Sequence, residues 1–371
     1  MTRPVSSAEA AGLGRQHMLA LTSVRGIAAW WVVLYHFREA LPAATPSWLL
    51  DVAARGYMAV DFFFQLSGFI LAYTYSRSFG QPSFSSAREF WVARFARIYP
   101  LHAFLLLLFL ANPIAIALFS SEGTIGERYN LGYYLLSWVL VQNWGFVGYL
   151  AWNVPAWSIS VEWMAYLTFP VLAFVLVKYV TARVALVATF LGTYTLLVAL
   201  WNYLNVGLGD NIPQLGLMRC LLQFSMGMIL YRIHALSSAS ATRDDLLAIL
   251  GMGLLGLAIG SEGIRDYVAV PIASSLIIYG LASQGRIASA LGAITALVWI
   301  GEVSYSTYMS HYFIRDWVRF LLVGAGQPSL FALAVYMCLT LLASSLLYRF
   351  VEQPGRYWLR RLGRQRIRAS S

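Results

Sequence analysis

Charged residues are scarce in this chain. Of its 371 residues, 11% are Asp, Glu, Lys or Arg, whereas 59% are hydrophobic, and the mean hydropathy is +0.65. Soluble globular domains carry about 25% charged residues, so this composition excludes that class. It predicts a polytopic membrane protein built from apolar helices.

Cysteine is also rare, and the positive charge is confined to particular segments. Cys220 and Cys338 both lie inside apolar runs, which favours small core residues over a disulfide. The net charge is +10, but the basic residues fall in short segments between apolar runs and at the C-terminus. That is the positive-inside pattern of membrane proteins, so we expect no nucleic-acid partner.

Ten apolar runs are long enough to predict helices that cross a membrane. They cover residues 20–40, 56–76, 98–118, 158–177, 184–204, 216–233, 246–260, 267–283, 294–322 and 329–349. A further apolar stretch, 131–145, is shorter. If it crossed, Lys178 and Arg232 would move to the outer side together with their basic neighbours, against the positive-inside rule.

These patterns predict an all-α integral membrane protein with about ten transmembrane helices. Residues near 131–157 would form a re-entrant or interfacial segment at the outer face, and both termini would be cytoplasmic. Irregular backbone at such depth must be shielded by protein or by a cavity. We expect a cytoplasmic N-terminal tail at 1–19, a single transmembrane domain at 20–353 and a basic cytoplasmic tail at 354–371.

The run LTSVRGIAAWWVVLYHF places two ionisable side chains in the first predicted helix. Arg25 and His36 lie on nearly the same helix face, with the imidazole ~16 Å further along the axis. If Arg25 sits at a membrane boundary, His36 lies near the middle of a ~30 Å hydrocarbon layer. An ionisable group there is costly unless it faces a partner or a watery cavity. His36 is therefore a candidate functional residue, the alternative being a buried structural histidine.

Asp61 interrupts the second apolar run, and two arginines lie just before the third. Arg94 and Arg97, three residues apart in RFARIYP, would lie at the cytoplasmic mouth of the third helix. Their forked donors suit phosphate, although ordinary positive-inside anchors would show the same spacing. Asp61 is either a cavity carboxylate or an interfacial cap near the outer end of the second helix. Ser67, which precedes a glycine, permits close helix packing.

Further polar groups lie towards the predicted outer face. In WSISVEW, Glu162 follows Trp157, and aromatic rings beside a carboxylate resemble a sugar-binding surface. An interfacial aromatic belt predicts the same residues. Tyr305 and His311 place polar groups along the run 294–322. His311 is either a site residue or the partner in an interhelical hydrogen bond.

Together these motifs resemble the acyltransferase family 3 membrane proteins. Arg25-Gly26 followed by His36, then FFFQLSGFIL, RFARIYP, WSISVEW, SYSTYMSHYF and FVEQPGRYW, occur in the order and spacing of that family between residues 21 and 358. The resemblance implies about ten membrane helices and transfer of an acyl group, usually acetyl, to a hydroxyl of a carbohydrate-containing acceptor. It also implies functional positions, which are Arg25 with His36, the pair Arg94 and Arg97, and Glu162.

The chain departs from the family in two respects. Some relatives carry an added SGNH hydrolase-like domain, whereas here a short basic segment follows the last predicted helix. We therefore expect either that a single membrane unit suffices or that a separate partner completes the reaction. The family often has an acidic or polar residue after the glutamate, where this chain has Trp163. Because of this difference, the resemblance indicates the type of reaction more firmly than it indicates the acceptor.

The resemblance implies a mechanism with two substrates and no permanently bound cofactor or metal. Acetyl-CoA or another acyl-CoA would enter from the cytoplasm and meet Arg94 and Arg97. A polysaccharide, glycolipid or glycosylated metabolite would enter from outside, with these acceptor-side or supporting residues: Asp61, Ser67, Trp157, Tyr305 and His311. His36 would act between them as general base or as transient acyl carrier, with Arg25 and Glu162 as the other catalytic candidates.

The expected location is the bacterial inner membrane, with membrane lipid as a further partner and a homodimer left open. A proton- or ion-coupled transporter, or a flippase, would use similar intramembrane polar residues. Transporters of this kind normally show two matching halves with Gly- or Pro-interrupted helices. The sequence shows no such symmetry, so acyl transfer is the favoured interpretation.

Overall fold

The structure is a computed structural model that describes residues 7–80, 83–119, 126–261, 263–283, 285–324 and 326–369. Side chains are described within these ranges from residue 18 to residue 363, except at 76 and 77. The described residues form helices and no strands, which confirms the predicted all-α class.

The helices follow the apolar runs closely. In chain order they are α1 (Ser7–Tyr35), α2 (Ser47–Ala54), α3 (Ala59–Tyr75), α4 (Phe84–Phe109), α5 (Ala111–Phe119), α6 (Leu131–Trp138), α7 (Trp157–Tyr179), α8 (Arg183–Leu204), α9 (Ile212–Ala235), α10 (Ala241–Gly260), α11 (Asp266–Leu281), α12 (Arg286–Ala293), α13 (Thr295–Glu302), α14 (Ser304–Val318), α15 (Leu330–Leu347) and α16 (Gln353–Ala369). The predicted helix 294–322 is broken at Val303, between α13 and α14.

Six helical stretches among the described residues are long and apolar enough to cross a membrane. They are Met18–Tyr35, Ser47–Tyr75, Phe84–Phe119, Val154–Tyr179, Arg183–Leu204 and Leu330–Gly363. The pair α11 and α12, bent by 81°, would make a seventh if it forms one span. The protein is therefore a multi-pass membrane protein by helix length and composition. About ten crossings, and the side on which the termini lie, stay predictions.

α9 is not among these six stretches, because buried polar residues lower its hydropathy. Arg219 and Gln223 lower its hydropathy, yet they are only 1% and 0% exposed. Their side chains face neighbouring helices, so the polarity of α9 says little about its contact with lipid.

The predicted third helix, 98–118, begins too late. α4 starts at Phe84, where the Ser83 hydroxyl accepts a hydrogen bond from the Ser86 backbone N–H at 3.1 Å. Counting from residue 84, Arg94 and Arg97 lie ~15 and ~20 Å along the helix axis. They therefore lie inside the helix and not at its mouth. The polar residues of its first turns lowered the hydropathy and hid this start.

Residues 131–157 fold back among the other helices. α6 has eight residues and is ~12 Å long, too short to cross a bilayer. The irregular chain after it is tied to the protein interior. The Asn143 N–H donates to the Ser160 hydroxyl at 3.1 Å, and the Asn153 amide donates to the Met309 carbonyl at 3.0 Å. Protein thus buries Asn143 and Asn153, whereas Phe146 between them is 65% exposed.

Close helix crossings at glycine set the positions of α1, α3 and α9. A Cβ added to Gly68 on α3 would lie 2.0 Å from the Phe224 carbonyl oxygen on α9. A Cβ on Gly301 would lie 1.9 Å from the Thr22 carbonyl oxygen on α1. Only glycine permits these approaches. The second crossing brings the neighbouring Arg25 against the junction of α13 and α14.

The two ends of the described chain are also helical. α15 continues through a π-helical turn, Tyr348–Glu352, into α16, so the predicted tail 354–371 is helical as far as Ala369. α16 packs against α4, where Gly355 lies against Pro100. α1 begins at Ser7, within the predicted tail 1–19.

Candidate active site

A cavity of about 180 Å³ lies where α1, α3, α4, α7 and α14 meet. We call it the arginine cavity, because three arginines line it together with a carboxylate and several hydroxyl groups. These polar residues are Arg25, Ser67, Arg94, Arg97, Ser158, Glu162, Tyr166, Ser304, Tyr305 and Tyr308. Six of the residues singled out in the sequence thus meet in one place, although they come from five helices.

Arg25 reaches the arginine cavity from α1 and is held by neutral partners. Its Nη2 donates to the Gly301 carbonyl at 2.7 Å, and its Nε donates to the Ser304 hydroxyl at 3.0 Å. These bonds fix the guanidinium in place. Neither partner neutralises the charge of Arg25.

Arg97 is held by a carboxylate that the sequence analysis did not single out. Its Nη1 forms an ion pair with Glu352, whose side chain is 1% exposed. The other oxygen of Glu352 accepts a hydrogen bond from the Ser306 hydroxyl at 2.7 Å. The Arg97 guanidinium also lies over the ring of Tyr305, 5.3 Å from its centroid. Glu352 belongs to the motif FVEQPGRYW, which was the signal that could have revealed it.

Arg94 has weaker partners than Arg97. Its Nη2 donates to the Tyr75 hydroxyl at 3.3 Å, and its guanidinium lies 5.5 Å from the centroid of that ring. Its Nε is buried without a hydrogen-bond acceptor among the described residues. Arg94 is therefore the lining arginine with most capacity left for an anionic ligand.

Glu162 lies in the same cavity as the arginines, so its predicted separation from them is wrong. One of its oxygens accepts a hydrogen bond from the Tyr166 hydroxyl at 2.6 Å. The early start of α4 carries Arg94 and Arg97 deep into the protein. The first residues of α7, Trp157 and Ser158, are themselves only 5% exposed. Because α4 begins earlier than predicted and α7 begins inside the protein, the two arginines and the carboxylate lie at the same depth.

His36 lies outside the lining of the arginine cavity and pairs with His311. Its Nδ1 is 3.0 Å from the Val32 carbonyl oxygen and 3.4 Å from the His311 Nε2. The carbonyl requires a proton on His36 Nδ1, which assigns the tautomer and leaves Nε2 as the unprotonated nitrogen. Tyr308, which lines the cavity, lies 5.9 Å from the His311 ring. The two histidines thus stand next to the cavity, beyond Tyr308.

Asp61 and Trp157 do not line the arginine cavity. Asp61 accepts hydrogen bonds from Arg219 at 2.8 and 2.5 Å and from the Gln223 amide at 3.0 Å. Trp157 lies under the same Arg219, 5.7 Å from its guanidinium carbon. Their functional roles stay predictions, and their contacts hold α3, α7 and α9 together. The high cost of a lone charge in the run 216–233 was the available signal that Arg219 needs a buried partner.

The described residues contain no group of three or more His, Cys, Asp or Glu side chains that could hold a metal ion. The polar groups of the arginine cavity are mainly donors, which suits an anion. Acetyl-CoA as co-substrate stays a prediction at this point.

Comparison with known proteins gives several relatives and no matching solved structure. The acyltransferase MdmB of Streptomyces mycarofaciens is 28% identical over 350 residues, which cover 86% of this chain and 84% of MdmB. The O-acetyltransferase OatA of Staphylococcus aureus strain NCTC 8325 is 23% identical over 370 residues, which cover 92% of this chain and 57% of OatA. A protein of S. aureus strain MSSA476, provisionally named an O-acetyltransferase, is 23% identical over 92% of this chain and 58% of its own length.

The chain therefore spans a little over half the length of these staphylococcal relatives. The sequence pattern of the acyltransferase 3 family, described as an acyltransferase domain, matches residues 18–349. The match begins within α1, extends through α15 and includes the lining of the arginine cavity. This match confirms the resemblance inferred from the motifs: the chain belongs to the acyltransferase 3 family.

Proposed function

We propose that this protein is a membrane-embedded O-acyltransferase that moves an acyl group, typically acetyl, from a cytoplasmic acyl-CoA to a hydroxyl of a carbohydrate-containing acceptor. The observation that carries the proposal is the convergence of Arg25, Arg94 and Arg97 with Glu162 in the arginine cavity. Membership of the acyltransferase 3 family supports acyl transfer. The descriptions of OatA as an O-acetyltransferase and of MdmB as an acyltransferase support an oxygen acceptor and an acyl donor.

The charges of the arginine cavity favour an anionic donor. Three arginines line it, and the carboxylates in contact with the lining groups are Glu162 and Glu352. The formal charge is thus positive by one unit. Coenzyme A carries phosphates, which guanidinium groups bind by paired hydrogen bonds. Arg94, with its unused Nε, is the first candidate for such a contact.

The size of the cavity favours one part of the proposed donor. About 180 Å³ suits the slender thioester arm of an acyl-CoA better than its nucleotide. The cavity wall includes Phe63, Phe64 and Ile70, and such an apolar wall favours an alkyl arm. The thioester would then extend past Tyr308 to reach the histidine pair.

His36 has the tautomer that a general base needs. Its Nε2 is free of the backbone hydrogen bond that holds Nδ1. In the proposed reaction, Nε2 takes the proton of the acceptor hydroxyl while the oxygen attacks the thioester carbonyl. The carbon–sulfur bond then breaks, the acyl group stays on the oxygen, and the thiolate of coenzyme A takes the proton back from the imidazolium.

His311 would support the charge that appears on His36 during this step. Its Nδ1 lies 3.3 Å from the Thr307 carbonyl oxygen, which leaves Nε2 as an acceptor facing His36. An acceptor at 3.4 Å stabilises a protonated imidazole. The alternative route, in which His36 Nε2 first takes the acyl group and then passes it to the hydroxyl, uses the same geometry.

The proposed topology places the two substrates on opposite sides of the histidine pair. We propose about ten crossings, both termini in the cytoplasm and residues 131–157 at the outer face of a bacterial inner membrane. The positive-inside distribution supports this orientation. An acceptor such as a surface polysaccharide, a glycolipid or a glycosylated metabolite would then approach from outside.

The test follows acetyl groups and coenzyme A together. Membranes that contain the protein, supplied with radiolabelled acetyl-CoA, should release free thiol and incorporate label into material that mild alkali releases, as expected of O-acetyl esters. Membranes from the same host without the protein provide the control. A transporter or flippase would release no thiol above that control, and this result would contradict the proposal.

A further inference from the structure

A second cavity, of about 470 Å³, lies beside the ends of α1 and α14, on the side of the histidine pair away from the arginine cavity. We call it the outer cavity. Its polar lining consists mainly of charged groups, which are Glu39, Arg128, Arg315, Asp316 and Arg319. Tyr129 and Trp317 add aromatic rings, and the Trp317 indole is fixed by a hydrogen bond to Asn112 at 2.9 Å.

The charges of the outer cavity do not balance. Arg128 pairs with Asp316 at 2.5 Å, and Arg319 pairs with Glu39 at 2.7 Å. Arg315 lies 3.8 Å from Asp316, beyond hydrogen-bond distance. Its Nε is buried without an acceptor among the described residues. Arg315 is therefore the surplus cation, with donors that no described side chain satisfies fully.

Arg315 is separated from His36 by a single aromatic ring. The guanidinium carbon of Arg315 lies 4.8 Å from the centroid of Tyr312, and the His36 ring lies 5.4 Å from the same centroid. The Arg315 guanidinium carbon and the centre of the His36 ring are therefore at most about 10 Å apart. A saccharide that bears both a charged group and a free hydroxyl can span a separation of this size.

The location of these arginines is unusual for a membrane protein. In the proposed topology the ends of α1 and α14 face outwards, where the positive-inside rule predicts few basic residues. Ion pairs account for Arg128 and Arg319. Arg315 shares Asp316 with Arg128 at the longer distance of 3.8 Å and packs on the Tyr312 ring, so its charge is only partly compensated. A partly buried arginine with an unsatisfied Nε is costly unless a ligand satisfies it.

We propose that the outer cavity is the acceptor subsite and that it binds a saccharide bearing an oxyanion, either a carboxylate or a phosphate, through Arg315. Trp317 and Tyr129 provide faces on which a sugar ring packs. The hydroxyl to be acylated belongs to the same saccharide and points towards His36. This inference rests on the proposed function, because it assigns the acceptor of the same reaction.

Calorimetric titration of the purified full chain tests the inference with three probes that differ in charge. Methyl β-glucoside is neutral, methyl β-glucuronide carries a carboxylate, and glucose 6-phosphate carries a phosphate. At least one anionic probe should bind about tenfold or more tightly than the neutral one, because a charge-assisted bidentate contact has that strength. The anionic probe that binds more tightly shows whether the acceptor carries a carboxylate or a phosphate. Equal affinity for all three probes would overturn the inference.

Variants of Arg315 test whether this residue causes the preference for anionic probes. The R315Q protein should bind all three probes equally. The R315K protein should show a smaller preference than the wild type, because lysine keeps the charge but not the forked donors. R265Q is the matched control, since it removes one positive charge from the separate cavity that Arg265 lines. A preference that survives in R315Q contradicts the inference. If R315Q does not fold, an unchanged preference in R315K contradicts it as well.

Release of thiol from acetyl-CoA by the wild-type protein separates this inference from the proposed function. Thiol release without any preference for anionic probes would leave acyl transfer standing and remove the oxyanion subsite. A preference that depends on Arg315, without thiol release, would leave the subsite and remove acyl transfer.

Discussion

The guanidinium of Arg97 is bound to the carboxylate of Glu352, which lies 255 residues later in the chain. This ion pair joins α4 to the π-helical turn that precedes α16, and its carboxylate is almost fully buried. A buried ion pair does not by itself show that a protein is more stable. Removing one partner, however, leaves the other charge buried without a counter-ion, which is destabilising. The pair therefore positions Arg97 in the arginine cavity.

We expect Glu352→Gln to destabilise the protein by about 3–5 kcal/mol, because it leaves the Arg97 charge without its buried partner. Thermal unfolding in detergent measures the loss. The double variant Arg97→Gln/Glu352→Gln should recover a part of it, since neither charge remains. A Glu352→Gln protein as stable as the wild type would show that the ion pair has no structural role.

Arg94→Gln should weaken acetyl-CoA binding by roughly 1.5–3 kcal/mol, as expected for the loss of a charge-assisted contact to phosphate. The stability of the Arg94→Gln protein should change little, because the hydrogen bond from Arg94 to the neutral Tyr75 hydroxyl is long, at 3.3 Å. Arg183→Gln, an exposed arginine at the start of α8, is the charge-matched control. Titration with coenzyme A measures the affinity. If a double variant of Arg94 and Arg97 bound coenzyme A as tightly as the wild type, the two arginines would serve only to orient the protein in the membrane.

Glu162→Gln separates two roles for this carboxylate, one at the acceptor and one with His36 or the donor. The amide keeps the shape and loses the charge, so a folded variant without activity assigns a chemical role. Acetyl-CoA turnover that continues without sugar acylation would place Glu162 at the acceptor. Loss of both reactions would place it with His36 or the donor. Glu89→Gln, an exposed carboxylate on α4, is the control. Normal rates for both reactions in Glu162→Gln would remove it from the site.

Cysteine labelling from outside the cell tests the proposed topology. Cysteines introduced at Asn211 and Gly326 should react with an impermeant reagent, whereas those at Ser83 and Ala241 should not. Cys338, which is exposed, is first replaced by serine. External labelling at Ala241 would mean that residues 131–145 cross the membrane. The further positions suggested by the sequence, Ser121 and the side chain of Gln365, lie outside the described residues.

The sequence predicted the helices well, because apolar runs of membrane length leave few alternatives. It also predicted that residues 131–157 do not form a full crossing, and the eight-residue α6 agrees with this. Hydropathy could not find the start of α4, since Arg94 and Arg97 look like the end of a membrane helix when they in fact line a cavity. A buried polar face and a solvent-exposed end have the same composition.

Motifs singled out several residues that line the arginine cavity, but they did not predict how these residues are arranged, and the roles of the residues stay predictions. The motifs identified Arg25, Arg94, Arg97 and Glu162, which the fold brings together. Periodicity placed His36 on the face of Arg25 but could not show that His311 lies beside it, 275 residues later. Long-range partners of this kind, like Glu352 for Arg97, depend on helix packing that a single sequence does not encode locally.

The central claim is that the His36 imidazole takes part in acyl transfer. The most direct measurement is the rate of thiol release from acetyl-CoA by purified wild-type protein and by His36→Ala, with folding checked by chromatography and thermal unfolding. The account predicts a folded His36→Ala protein whose rate is at least ~10²-fold lower, because a general base or nucleophile has been removed. A rate within a few-fold of the wild type would contradict it.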